Sequence, residues 1–155
     1  MIINLAKIGE DGERFTGEES PEILELAGDA SVRFRGMIGC DVMAQLVSGN
    51  LIVQGRVWVE ADRECSRCGE FFSTTVEDSS FLRDYAVSSD LLEVDITEDI
   101  REAVMLQMMR FPLCGPDCKG VCVPGGTKLN LGACSSDGQE PGGAWGALDQ
   151  LNWNE

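Results

Sequence analysis

Apolar and polar residues alternate through the first half of the chain, from Val32 to Val76. Val32 and Phe34 are each followed by an arginine, and later apolar positions face one side while polar positions face the other: Leu51, Val53, Val57 and Val59 against Gln54, Arg56 and Glu60. Alternation with a period of two is typical of strands with one buried face. The segment Ser48-Gly-Asn50 separates two such runs and predicts a hairpin turn. The pattern therefore predicts an antiparallel meander of about four to six strands.

The flanking segments carry weaker signals. Ile2 to Leu5 is a short apolar run that predicts an edge strand, whereas residues 9–21 are acidic and glycine-rich and predict a surface loop. Cys40 falls in the middle of a predicted strand, away from the other cysteines, and we interpret it as a small buried core residue.

The apolar spacing changes to three and four residues after Asp95, which predicts one main helix through Ile100, Val104, Met108 and Phe111. Asp95 or Thr97 can cap its amino end, and Pro112 ends it. Apolar residues at 105, 106 and 109 cover a second face, so we expect burial on both sides. The sequence thus predicts an α+β fold: an antiparallel β-meander or partly closed barrel with one main helix and a cysteine-rich metal turn.

A chain of 155 residues corresponds to about one domain. We predict a single β-rich domain with a zinc-ribbon-like cysteine site over residues 1–134 and a flexible linker, rich in Gly, Ser and Pro, over 135–143. Residues 144–155 would form a short amphipathic tail with Trp145, Leu148 and Leu151 on one side. Such a tail docks either on its own domain or on a partner.

The formal net charge of -15 changes the expected partners. Proteins that bind nucleic acid mainly through phosphates need clustered cations, so this composition argues against that class and favours a basic partner. The sequence has neither the pattern of a secretory signal nor an apolar run of about 18 residues. We therefore expect a cytoplasmic protein without membrane association.

Cysteine spacing supplies the candidate chemistry. Cys65-Ser-Arg-Cys68 is followed by Gly69, and a second cluster holds Cys114, Cys118 and Cys122. Two short cysteine groups separated by a long insert are the usual source of four thiolates for Zn²⁺, and Gly69 permits the positive φ that such a turn often needs. The sequence therefore predicts a structural zinc site.

The second cysteine group allows more than one choice of ligands. We select Cys65, Cys68, Cys114 and Cys118, because prolines and glycines at 112, 115 and 116 shape a turn around the second pair. Cys122 in place of Cys114 or Cys118 is the alternative. Two arrangements without metal also stay open, a disulfide framework and buried thiols, but a reducing cytosol with an odd cysteine count favours metal.

An enzyme is not expected. The chain has no histidine, which removes the commonest general base, and the Cys65-Ser-Arg-Cys68 motif lies in a predicted hairpin turn instead of at the start of a helix that would activate a thiol. A redox-active thiol pair is the remaining enzymatic possibility.

Five segments together resemble the YceD family, also called DUF177. They are Cys65-Ser-Arg-Cys68-Gly69, Asp95-Ile-Thr-Glu-Asp-Ile-Arg-Glu102, Pro112-Leu-Cys-Gly-Pro-Asp-Cys-Lys-Gly-Val-Cys122, Leu129-Asn-Leu-Gly132 and Trp145-Gly-Ala-Leu148. The resemblance runs in order over most of the chain. It implies an accessory role in ribosome biogenesis, supporting the accumulation of large-subunit rRNA.

The chain departs from the family pattern after Cys122. Many members carry further cysteines where this chain has Gly125 and, after Cys134, serines. A second four-sulfur site would thus be incomplete, with Cys122 and Cys134 as remnants. This supports the choice of Cys65, Cys68, Cys114 and Cys118 for the retained site.

The acidic surface limits direct contact with rRNA, so the implied partner is a basic ribosomal protein or a pre-ribosomal particle. RNA contact would be confined to a patch made by Arg63, Arg67, Lys119 and, as a fourth candidate, Lys128. Solvated loop cations are the alternative interpretation of these residues. The alternative function is a general acidic zinc-ribbon interaction module without a ribosomal role.

Overall fold

The computed structural model describes residues 1–88, 90–122, 125–132 and 134, and it confirms the α+β class. The strands, in chain order, are β1 Ile2–Asn4, β2 Glu13–Glu19, β3 Val32–Phe34, β4 Ile38–Val47, β5 Asn50–Glu64, β6 Phe71–Ala86 and β7 Glu93–Asp95, and the helix α1 is Thr97–Met108. Two short 3-10 helices occupy Leu5–Lys7 and Pro21–Leu24.

Strand β5 is the centre of a five-stranded antiparallel sheet. One flank of β5 pairs with β4 and then with β3, the other flank pairs with β6 along nearly its whole length, and β2 pairs with β4. Strands β1 and β7 form a separate antiparallel pair. Within the described residues the larger sheet is open and not closed into a barrel, so the meander alternative is the one that the structure supports.

The predicted loop over residues 9–21 is wrong, because Glu13–Glu19 is strand β2. Its residues pair one by one with Ile38–Ala44 of β4. Phe15 is half-buried between exposed neighbours, so only one apolar side chain of this acidic segment marks the buried face. Pairing with β4 overrides the weak local strand propensity of Glu and Gly.

Both predicted turns are confirmed. Ser48 and Gly49 have φ values of 51° and 86°, as a two-residue turn with positive φ at both positions requires between β4 and β5. The β5–β6 hairpin carries Cys65-Ser-Arg-Cys68 at its tip, and Gly69 adopts a φ of 69°. A residue with a Cβ would be strained there.

The core lies between the inner face of the large sheet and α1. Cys40 is 1% exposed, which confirms it as a core residue, and the alternating β5 residues are fully buried. On α1 the buried residues are Ile100, Ala103 and Val104. Two expectations for the helix are wrong, however. It ends at Met108, and Phe111, predicted as its last apolar position, lies beyond it and is 88% exposed. It is also not buried on both sides, because Leu106 is 56% and Met109 is 75% exposed.

Side chains fix both the start of α1 and its contact with the sheet. The Asp95 carboxylate accepts hydrogen bonds from the backbone N–H and the hydroxyl of Thr97, which lowers the pKa of Asp95. From β6, Arg83 Nε donates to Asp99 at 2.9 Å and the Tyr85 hydroxyl donates to the same carboxylate. Burial, and then this hydrogen bond, raises the pKa of Tyr85.

The chain forms two compact units. The first unit comprises Met1–Ser66 and Glu70–Cys114 and holds all seven strands and α1. The second unit comprises Arg67–Gly69 and the chain from Gly115 onward; in it, Val121 and Lys128 form an antiparallel bridge. None of the helices in the described residues is long and apolar enough to cross a membrane. The predicted linker 135–143 and tail 144–155 lie outside the described residues, and the domain boundary at residue 134 stays a prediction.

Candidate metal centre

The four cysteines selected from the sequence come together. The sulfurs of Cys65, Cys68, Cys114 and Cys118 lie within 4.8 Å of one another. In a tetrahedral zinc site with bonds of about 2.3 Å, neighbouring sulfurs are about 3.8 Å apart. Four cysteines at this separation could hold a metal ion.

The hairpin tip and the segment after α1 meet through backbone hydrogen bonds. The Cys65 N–H donates to the Glu70 carbonyl at 2.8 Å and closes the tip, and the Ser66 N–H donates to the Pro112 carbonyl at 2.9 Å. The Cys114 N–H then donates to Cys65 Sγ at 3.4 Å. An N–H donor at a sulfur stabilises its thiolate form, which is the form that binds a metal.

The turn at Cys118 is organised by its own contacts. The Cys118 N–H donates to the Gly115 carbonyl at 3.2 Å, which closes the turn predicted from the proline and glycine residues. The Arg67 guanidinium donates to the Cys118 carbonyl at 3.2 Å. Gly120 has a φ of 76°, and a Cβ there would lie 3.2 Å from the Arg67 carbonyl oxygen. Glycine at this position thus permits both the turn and the close approach of residue 67.

Asn130 is a site residue to which sequence patterns assigned no role. Its amide nitrogen donates to Cys118 Sγ at 3.3 Å, and its amide oxygen accepts from the Lys119 N–H at 2.8 Å. The side chain therefore supports one ligand and the turn beside it at the same time. The sequence feature that could have pointed to Asn130 is the Leu129-Asn-Leu-Gly132 segment, in which this polar residue lies between two leucines.

Two of the proposed patch cations bind backbone carbonyls. Arg63 donates to the carbonyls of Met108 and Arg110 at the end of α1, and burial lowers its pKa. Arg67 binds the Cys118 carbonyl. Both guanidinium groups thus contact the backbone. Arg63 is half-buried in strand β5, so its interpretation as a solvated loop cation is wrong, whereas Arg67 is exposed in the hairpin turn and that interpretation stays open for it. Lys119 is exposed, and Lys128 is half-buried.

Cys122 and Cys134, interpreted as remnants of a second site, form a disulfide with a Cα–Cα separation of 5.8 Å. The cluster of candidate ligands among the described residues contains neither of them. The choice of Cys65, Cys68, Cys114 and Cys118 as metal ligands stays a prediction.

The donor set limits the chemistry. Cys65, Cys68 and Cys118 are 2%, 1% and 8% exposed, and Cys114 is exposed. Four thiolates fill a tetrahedral Zn²⁺ and leave no position for water or substrate, as in structural zinc sites. The set thus fits a metal with a structural role.

Comparison with known proteins gives a partial sequence match. No family model matches the chain, and no solved structure matches it. It is 32% identical over 62 residues to a protein of Arabidopsis thaliana, the large ribosomal RNA subunit accumulation protein YCED homolog 1, chloroplastic. The match covers 40% of this chain and 19% of that relative, so the chain spans about a fifth of its length. This similarity supports a relationship to YceD-like proteins over the matched part.

Proposed function

We propose that this protein is a non-enzymatic accessory factor in ribosome biogenesis that supports the accumulation of large-subunit rRNA. The observation that carries the proposal is the partial similarity to a large ribosomal RNA subunit accumulation protein. The ordered motifs of the sequence support the same direction. We place the protein in the cytoplasm, where reducing conditions would keep the four clustered cysteines as thiols that a metal can bind.

Zinc is the cofactor that we propose for the sulfur cluster, with Cys65, Cys68, Cys114 and Cys118 as ligands. The support is the convergence of their sulfurs within 4.8 Å and the donors at Cys65 and Cys118. Bound zinc would neutralise thiolate charge and hold these segments in place. Structural zinc contributes an apparent free energy of roughly 10–16 kcal/mol in small zinc-dependent folds, which is enough to determine whether such a segment is ordered.

The proposed partner is a basic ribosomal protein or a pre-ribosomal particle. The net charge of -15 supports a cationic partner and limits direct contact with rRNA. Since Arg63 and Arg67 hold backbone carbonyls, a test of RNA contact should use Lys119→Glu, which changes an exposed charge without removing those contacts. An unchanged capture of rRNA by this variant would argue against the basic patch.

The metal proposal is tested by elemental analysis and native mass spectrometry. Wild-type protein purified without chelators should carry about one zinc per chain, and Cys68→Ser and Cys118→Ser should carry far less. Cys40→Ser is the matched control, because Cys40 is buried in the sheet and outside the cluster. It should keep its zinc. Equal zinc in all four proteins would contradict the assignment.

The functional proposal is tested in cells that lack the gene. The ratio of large-subunit to small-subunit rRNA should fall, and wild-type protein should restore it, while Cys118→Ser restores it poorly. If the ratio does not change, the ribosomal role is wrong and the general interaction module becomes the better description.

A further inference from the structure

The outer edge of β6 has no strand partner among the described residues. β6 pairs with β5 along one flank, and the backbone hydrogen bonds of the described chain include none from Phe71–Ala86 on the other flank. Alternate residues of an antiparallel strand direct their N–H and C=O groups away from the neighbouring strand. A long row of backbone donors and acceptors is thus available on this edge.

The two long edges of the sheet differ in composition. The edge strand β2 carries four charged residues in its seven, Glu13, Arg14, Glu18 and Glu19. The first six residues of β6, Phe71–Val76, are aromatic, β-branched or serine and carry no charge and no proline. Charged residues protect an edge against strand addition, whereas an uncharged run of high β propensity favours it. The β6 edge is therefore the one suited to receive another strand.

Carboxylates outnumber cations around this edge. Two arginines do reach it: the Arg33 guanidinium lies 4.6 Å from the centre of the Phe71 ring, and Arg35 donates to the Ser73 hydroxyl at 2.9 Å. The one cation of β6, Arg83, is bound to Asp99 and Glu102 of α1. None of the following carboxylates on β5 and β6 forms an ion pair with a described residue: Glu60, Glu64, Glu77, Asp78 and Asp84. A strand added here would therefore gain from positive side chains.

We propose that the edge of β6 over Phe71–Val76 binds an extended cationic segment of a partner protein, which adds to the sheet as a further strand. The inference rests on the proposed function, and it names the surface and the chemistry by which a basic ribosomal protein would dock. Main-chain hydrogen bonds would supply affinity, and the carboxylates would select for Lys and Arg. A second copy of the chain is disfavoured, because two chains of net charge -15 would bring their β6 carboxylates together.

A charge series on the two edges tests the proposal. Thr75→Lys/Glu77→Lys places cations on the exposed outer face of β6, and Thr16→Lys/Glu18→Lys makes the same change on exposed positions of β2. The two variants have the same net charge, so long-range attraction is matched. The full chain is immobilised and incubated with the total protein of salt-dissociated large ribosomal subunits. Binding should weaken at least about fivefold in the β6 variant and much less in the β2 variant.

A synthetic probe tests the edge independently of any ribosomal role. A ten-residue peptide of alternating Lys and Val should bind and slow amide hydrogen exchange at alternate residues of Phe71–Val76. The same peptide with every second amide N-methylated keeps its charge but cannot complete the ladder, and it should bind at least about tenfold more weakly.

The two experiments separate the outcomes. Capture of ribosomal proteins that is equal in both variants overturns the edge site and leaves the proposed function standing. Failure to capture any ribosomal protein, with peptide binding that protects β6 amides, overturns the partner but supports the edge. No peptide binding, or equal binding of the N-methylated peptide, overturns the edge site. A dimer in sedimentation that only the β6 substitutions dissolve would show a second copy as the occupant and overturn the cationic segment.

Discussion

Replacement of Arg63 by Met should release the end of α1. The Arg63 guanidinium donates to the carbonyls of Met108 and Arg110, the second at 3.0 Å. These carbonyls belong to the last turn of the helix and the residues after it, where backbone acceptors lack helical donors and a cation is favoured by the helix dipole. Met retains much of the apolar stem, so the substitution mainly removes the charge and its two hydrogen bonds.

The expected loss is about 2–3 kcal/mol in the free energy of unfolding. A hydrogen bond from a charged donor contributes about 1.5–3 kcal/mol, and a partly buried cation at a helix end contributes up to about 2 kcal/mol. The two bonds share one charge, so they do not add. Arg63→Lys keeps the charge without the two-pronged donor and should recover about half of the loss.

The measurement is urea unfolding followed by circular dichroism in the presence of zinc. Arg56→Met is the matched control on the same strand, because the Arg56 guanidinium lies 4.5 Å from the centre of the Trp58 ring and its side chain is 52% exposed. This control should lose less than about 1 kcal/mol. If the two variants lose the same amount, Arg63 does not stabilise the helix end.

Three further predictions concern single positions. Asn130→Ala should raise the rate at which a chelator removes zinc by about tenfold, because Cys118 loses its amide donor; a colorimetric zinc indicator follows the release. Gly55→Ala should cost about 3 kcal/mol or more, since the new Cβ would lie 2.7 Å from the Cα of Val42 in β4; urea unfolding measures it. Burial raises the pKa of the Cys40 thiol to about 11, above the value of about 8.5 for an unfolded chain. The native thiol thus stays protonated while the unfolded one ionises, so stability should fall as the pH rises from about 8.5 to 11, less so in Cys40→Ala.

Each of these has a control or a contradicting result. Asn130→Asp, with a carboxylate in place of the donor, should release zinc at least as fast as Asn130→Ala; slow release from both would remove Asn130 from the site. Gly36→Ala meets no atom within 4 Å and should be nearly neutral. If the free energy of unfolding falls equally with rising pH in wild type and Cys40→Ala, other titrating groups cause the fall.

The parts of the fold that the sequence predicted depend on local chemistry. Ser48 and Gly49 can adopt positive φ, and Gly69 does so at the second tip, so turn residues alone located both hairpins. Strand β2 escaped prediction because its partner, Ile38–Ala44, lies far away in sequence. The exposure of Leu106 and Met109 also escaped prediction, since an apolar residue has the same pattern whether or not a neighbour covers it.

The candidate metal site also has features that the sequence could suggest and features that it could not. Cysteine spacing and the turn-forming residues beside Cys114 and Cys118 are short-range features, so the sequence alone could nominate four ligands, and their sulfurs lie within 4.8 Å of one another. The contacts of Arg63, Arg67 and Asn130 with backbone or sulfur were not predictable, since surface cations and amides have many possible partners. The Cys122–Cys134 disulfide was missed because a reducing cytosol favours free thiols over disulfides at every cysteine.

The end of β5 and the hairpin tip that follows it contact both the end of α1 and a candidate metal ligand, through residues only two positions apart. Arg63 holds the carboxyl end of α1, and Cys65, two residues later, accepts the hydrogen bond from Cys114. Fraying at this end of the strand would loosen the helix and a sulfur ligand in the same event. We therefore expect the helix terminus and the hairpin tip to open as one cooperative unit. Loss of the metal should then cause local unfolding at the carboxyl end of α1.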